Sequence, residues 1–158
     1  MTDRQRETMQ QKLLLQKTKN LMAQVDGVKI LQYDEQGIPD DSTLRSIGFY
    51  SSEKIPEAKI AMQSDENAIV DWIISLLDSE NVRTGDICCL WDGAFLVKME
   101  ILDMRAAVSS LWQCLRANHK SLVLITSDGE TMLDFGSDSR DEYNILFDKY
   151  TLCRRCGA

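Results

Sequence analysis

Histidine occurs once in this chain of 158 residues, proline twice, and no uninterrupted apolar run exceeds about five residues. Each shortage removes a class of function. With His119 alone, a Ser–His–Asp triad, a Cys–His pair or a His-rich metal site would all depend on one side chain. No recognisable motif surrounds a nucleophile either. His119 follows Ala117-Asn118 at an expected helix end, where an imidazolium is favoured, so a structural role is expected for it. Gly85, Gly93 and Gly129 each stand beside an aspartate, as turns require, and neither GxGxxG nor a Walker sequence occurs. Nucleotide binding therefore has no support. No segment is long and apolar enough to cross a bilayer, and the polar N-terminus lacks a secretory pattern, so the expected location is cytoplasmic.

The five cysteines do not form a disulfide pattern. Their number is odd and Cys88 and Cys89 are adjacent, which points to reduced thiols; Cys88, Cys89 and Cys114 fall within apolar patterns and read as small core residues. Cys153-Arg154-Arg155-Cys156 is the sole CxxC, and its arginines favour thiolate. Structural zinc normally takes four ligands, and no second CxxC or CxxH is present. The expectation is two unpaired thiols in a flexible tail, residues 151–158, with no metal and no cofactor.

What remains is a globular composition, 44% apolar and 27% charged, with no Ser/Gly-rich linker. One domain, residues 1–158, is expected. The formal charge is −7. Residues 1–27 hold five basic and three acidic residues, a net of +2, and the remainder holds 13 basic and 22 acidic, a net of −9. An acid excess without visible chemistry suggests a protein that works by binding something basic, and it disfavours direct contact with nucleic acid.

Residues 3 to about 25 read as a helix, with Leu14, Leu21, Met22 and Val25 near helical spacing and Asp26-Gly27 as a stop. This N-terminal segment is expected to pack on the acidic body. Val28–Tyr33 reads as a strand and Ala58–Gln63 as a weaker one, while residues 38–57 are the least readable part, where Leu44, Ile47, Phe49 and Tyr50 could give a short element. Two amphipathic helices are plain. Ser64 can cap the first, along which Ile69, Trp72, Ile73, Leu76 and Leu77 form a stripe; Asp103 can cap the second, striped by Met104, Ala107, Val108, Leu111, Trp112 and Leu115. Asp92-Gly93 and Asp128-Gly129 each join two apolar runs, as hairpin turns do, and Tyr143–Phe147 supplies a further strand. The fold class is α+β: an antiparallel sheet of hairpins with helices on one face, Trp72 and Trp112 being buried against it.

Carboxylates concentrate late in the chain. Asp128, Glu130, Asp134, Asp138, Asp141 and Glu142 face one base, Arg140. A solvated face, a docking surface for a basic protein and a metal site are the three readings. The last requires convergence in a cleft, and the calcium-loop spacing is absent. Strand alternation would put Glu130, Met132 and Asp134 on one face and so bring Met132 into a contact surface.

The stretch Asp128-Gly129-Glu130-Thr131-Met132-Leu133-Asp134-Phe135 and Asp138-Ser139-Arg140-Asp141-Glu142-Tyr143 places a turn, a strand and a carboxylate-rich loop behind an amphipathic helix. In this, residues 85–150 resemble the small acidic immunity proteins that bacteria pair with polymorphic or contact-dependent toxins. The resemblance implies a non-enzymatic inhibitor that binds a basic toxin domain. Its carboxylates, with Tyr143 beside them, would imitate phosphate and speed encounter, and Phe135, Tyr143 or Tyr150 would anchor the contact. Two other classes stay open: a secretion or assembly chaperone, and a metal-dependent hydrolase. The partner's identity and the oligomeric state are not encoded in any motif.

Overall fold

The computed structural model describes residues 2–152. Helix α1 (Asp3–Met22) begins at a capping box, in which Thr2 accepts from the Gln5 amide while the Gln5 side chain accepts from the Thr2 amide. It is followed by β1 (Val28–Asp34), the short α2 (Asp41–Ser46), β2 (Ala58–Ala61), α3 (Glu66–Ser79), β3 (Ile87–Trp91), β4 (Leu96–Ile101), α4 (Met104–Ala117), β5 (Leu122–Thr126), β6 (Thr131–Asp138) and β7 (Asp141–Thr151). The seven strands form one sheet in the order β1-β4-β3-β5-β6-β7-β2, and all six pairings are antiparallel. The α+β class expected from the hairpin signals is what the chain adopts. No helix among the described residues is long and apolar enough to cross a membrane.

The first face of the sheet is covered by α3 and α4, whose stripes pack onto Leu90, Val97, Met99, Leu133, Phe135, Ile145 and Phe147. Trp112 is buried at 4% exposure, as expected; Trp72 is only partly buried and meets Phe135 edge-on, ring centroids 6.0 Å apart. Asp103 caps α4 by accepting from the Ala106 amide. The cap of α3 differs from expectation. Asp65, not Ser64, holds the N-cap position and makes no side-chain cap bond, because Ser64 is drawn into a turn by its amide's bond to the Ala61 carbonyl.

The second face also has a cover, which the sequence reading lacked. Residues 38–57, the least readable stretch of the sequence, contain one short helix and place Ile38, Leu44, Ile47 and Phe49 over Leu96, Val123, Ile125, Met132, Tyr150 and Leu152. Asp40 starts α2 by accepting from the Thr43 amide at 2.7 Å. Phe49 sits between Trp91 and Tyr150, at centroid distances of 5.8 and 5.6 Å. This cover is built from aromatic and branched side chains without helical period, so periodicity could not reveal it.

Only the last turn of α1 packs as expected: Thr18, Leu21 and Met22 are buried, while Met9, Leu13 and Leu14 stay exposed. The joint after α1 is tight. Gly27 has φ +74°, its carbonyl accepts from the amides of Leu102 and Asp103, and a Cβ there would stand 2.6 Å from the Asp103 carbonyl oxygen. At the other end, Thr151 belongs to β7 and Leu152 is buried, its amide donating to the Glu130 carbonyl. These two residues do not belong to a flexible tail, because strand pairing and the second core claim them. Cys153 and Cys156 lie outside the described residues.

Candidate functional site

Strand β6 carries the acidic segment, and its direction decides which carboxylates can act together. The Asp128–Glu130 turn precedes β6 and the Asp138–Asp141 turn follows it, so the two lie at opposite ends of an eight-residue strand, roughly 25 Å apart at about 3.3 Å per residue. The acidic residues therefore form two separate surface groups and one inward-facing member rather than a single face.

The inward-facing member is Asp134, half-buried as a residue. Alternation along β6 sends Leu133 and Phe135 into the helix-covered core and turns Met132 and Asp134 to the opposite face, where Met132 packs under residues 38–57. Met132 is wholly buried, which removes it from any contact surface. Asp134 pairs directly with Asp148 on β7, its Oδ1 is sealed from solvent without a hydrogen-bond partner, and burial together with the Asp148 and Asp138 charges pushes its carboxyl up to about 7. Glu130 precedes the strand and points outward from the turn, so it does not share Asp134's surroundings.

At the turn before β6, Asp128 accepts from Thr126 Oγ1 at 2.6 Å and from the Glu130 amide at 2.9 Å, bonds that hold its carboxyl below the usual range. This is local turn chemistry.

The turn between β6 and β7 is organised by Arg140. Its Nε and Nη2 donate to Asp138, its Nη1 and Nη2 donate to the two oxygens of Asp148, and Nη1 also donates to the Lys54 carbonyl at 3.0 Å. The Arg140 side chain is only 12% exposed and that of Asp148 3%, so a charged pair is buried with two-pronged geometry and few unmet donors. The bonds to Asp138 and Asp148 hold the guanidinium's proton still more firmly than usual, and the same bonds hold the Asp138 carboxyl below the carboxylate range. Asp138 also accepts from the Arg140 amide at 2.9 Å. One residue on, Asp141 accepts from Asn144 Nδ2 and from the Tyr143 amide, bonds that likewise hold its carboxyl low.

With Asp138 and Asp141 engaged in the turn, Glu142 and Tyr143 are left projecting. Both are exposed, Tyr143 at 82%. Their backbone is not loose, since the Tyr143 carbonyl accepts from the Met62 amide and Asn144 pairs with Ala61 of β2. That pairing brings the start of α3 to the same end of the sheet, so exposed Asp65 and Glu66 join Asp138, Asp141 and Glu142 there. Sequence reasoning missed these two, because β2 meets β7 only across more than 80 residues. It also missed a basic neighbour: Arg116 and Lys120, with His119, line a cleft of about 340 Å³ together with Trp112, Ser121, Gly136 and Ser137. Lys120 Nζ is engaged by the Asp92 carbonyl, to which it donates, and Arg116 lies over the Trp112 ring at 5.2 Å.

Of the anchors considered, Phe135 and Tyr150 are buried and Tyr143 is exposed. Among the described residues, no group of three or more His, Cys, Asp and Glu side chains is placed to hold a metal ion, as carboxylate-based hydrolysis would require. Cys88 is buried and its thiol is pushed up to about 12, chiefly by that burial, which leaves no nucleophilic thiolate at that position. No protein-family model, curated protein or solved structure matches this chain.

Proposed function

We propose that this is a non-enzymatic binding protein that neutralises a basic protein, in the manner of a bacterial immunity protein, through the tip of the β6–β7 hairpin. The observation that carries the reading is the division of labour in that turn. Arg140, Asp138, Asp141 and Asn144 satisfy one another and fix the backbone, while Glu142 and a nearly bare Tyr143 face solvent. An aromatic ring flanked by carboxylates on a pre-ordered turn costs little conformational entropy to bind, and its charges hasten encounter with a cationic surface. Asp65 and Glu66 extend the same negative corner. The Asp128–Glu130 turn lies too far away to share one small contact.

The test is kinetic. The partner is isolated by co-purification from the native host, and association with Glu142→Lys and Tyr143→Ala variants is followed at two ionic strengths. Glu142→Lys should slow association several-fold and flatten its salt dependence, whereas Tyr143→Ala should mainly speed dissociation, by tenfold or more. Association unchanged by the charge reversal, or a partner with an acidic contact face, rejects the reading.

A further inference from the structure

The second face of the sheet differs from an ordinary apolar core in holding carboxylates that outnumber their counter-charge. Asp134 and Asp148 are directly opposed on neighbouring strands. Among the described residues, Arg140 is the cation whose charge acts on Asp134, and it is committed to Asp148, Asp138 and the Lys54 carbonyl. Asp134 Oδ1 is consequently buried without a partner.

The same guanidinium fastens the cover. Lys54 belongs to the segment that closes the second core, its carbonyl is held by Arg140, and its ammonium lies 4.7 Å from the centre of the Tyr150 ring. Among the described residues, the charged and titratable groups around Asp134 are thus Asp148 and Tyr150 from β7, Asp138 and Arg140 from the turn, and Lys54 from the cover. Val123 of β5 pairs with Asp134 and contributes no charge, and β3 adds the Cys89 thiol to the same core, one residue pair further along.

We propose that Asp134 is a pH-governed latch: with its carboxyl neutral the cover of residues 38–57 stays closed on the sheet, and with its carboxyl ionised the cover opens. A second negative charge opposite Asp148 competes for an arginine that is already shared, and moving the cover away admits water to the sealed Oδ1 of the half-buried Asp134. With the cover closed, burial and the neighbouring carboxylates raise the Asp134 carboxyl to about 7. Exposed to water by opening, the same group would ionise near the usual aspartate value of about 4. The proton is therefore held more tightly in the closed form. Raising the pH from about 4 to about 7 favours opening, and above about 7 both forms are ionised and nothing further is lost.

The experiment is hydrogen–deuterium exchange of the Leu44, Ile47 and Phe49 amides, which close the turns of the cover by bonding to the carbonyls of Asp40, Thr43 and Leu44. Their rates are divided by those of α4 amides in the same molecule, which cancels the hydroxide dependence of intrinsic exchange. In the wild-type chain this ratio should rise about tenfold per pH unit between about pH 5 and 6.5 and level off above about 7. In Asp134→Asn, a neutral side chain of the same shape, it should stay flat. A flat ratio in the wild type, or an equal rise in the variant, overturns the latch. If Asp134→Asn does not fold, carbon-13 titration of Asp134 Cγ in the wild-type chain decides. A midpoint near 7 that matches the exchange plateau supports the proposal, and a midpoint near 4 overturns it.

Discussion

The two faces of the sheet are closed by opposite means. On one, α3 and α4 lay regular stripes of Ile, Leu, Val and Trp against Leu90, Met99, Leu133 and Phe135. On the other, an irregular segment with one six-residue helix seats Leu44, Ile47 and Phe49 beside a buried ion pair and an orphaned carboxyl. Apolar packing is non-directional and spread over many contacts, so it tolerates local change. A buried charge network depends on each member, since losing one strands the rest. The first face supplies stability, and the second ties the cover to the very turn that presents Glu142 and Tyr143.

Mutation can separate the two. Trp112→Ala removes a large, almost wholly buried ring from the helix-covered face and should cost about 3–5 kcal/mol, read as a lower urea midpoint with an unchanged slope. Arg140→Ala should cost somewhat less, about 3 kcal/mol, by leaving Asp148 charged and uncompensated. Its signature should be local, with lost protection in residues 38–57 while α4 amides keep theirs. Arg140→Lys should recover only part of the loss, since one ammonium cannot serve both Asp148 oxygens and the Lys54 carbonyl together. Equal loss of protection on both faces in Arg140→Ala would erase the distinction. Least affected should be Glu142→Lys, whose unfolding free energy should match the wild type to within about 0.5 kcal/mol, because exposed charges contribute little to stability. A larger loss would mean that the hairpin tip serves the fold.

The same contrast explains what could be read in advance. Ile69, Ile73 and Leu77 repeat at helical period, as do Ala107, Leu111 and Leu115, and Asp92-Gly93 and Asp128-Gly129 mark hairpins; all are short-range signals and all are seen in the fold. Phe49, Ile47 and Ile38 follow no period, and their burial comes from strands far away in sequence. Tyr143 and Tyr150 look alike as sequence, yet one is bare and the other buried, because only the second stands where β7 passes beneath the cover. Asp134 was grouped with its neighbours by charge. The apolar Met132 two residues earlier was the clue that this side of β6 faces inward, and it was readable only once both sides of the sheet were known to be covered.

Strand order has a consequence for how the chain is made. The interior strands β4, β3, β5, β6 and β7 come from residues 87–151, and the two edges, β1 and β2, come from the first 61 residues. The edge strands and the cover are therefore translated first, and their hydrogen-bonding partners, β4 for β1 and β7 for β2, follow much later. Until β7 has emerged, β2 has no neighbour and Phe49 no Tyr150 to lie on. From the time residues 28–61 are made until β4 and β7 follow, the nascent chain carries unpaired strand edges and bare aromatic side chains, and the local hairpins of residues 87–151 must form before β1 and β2 have anything to join.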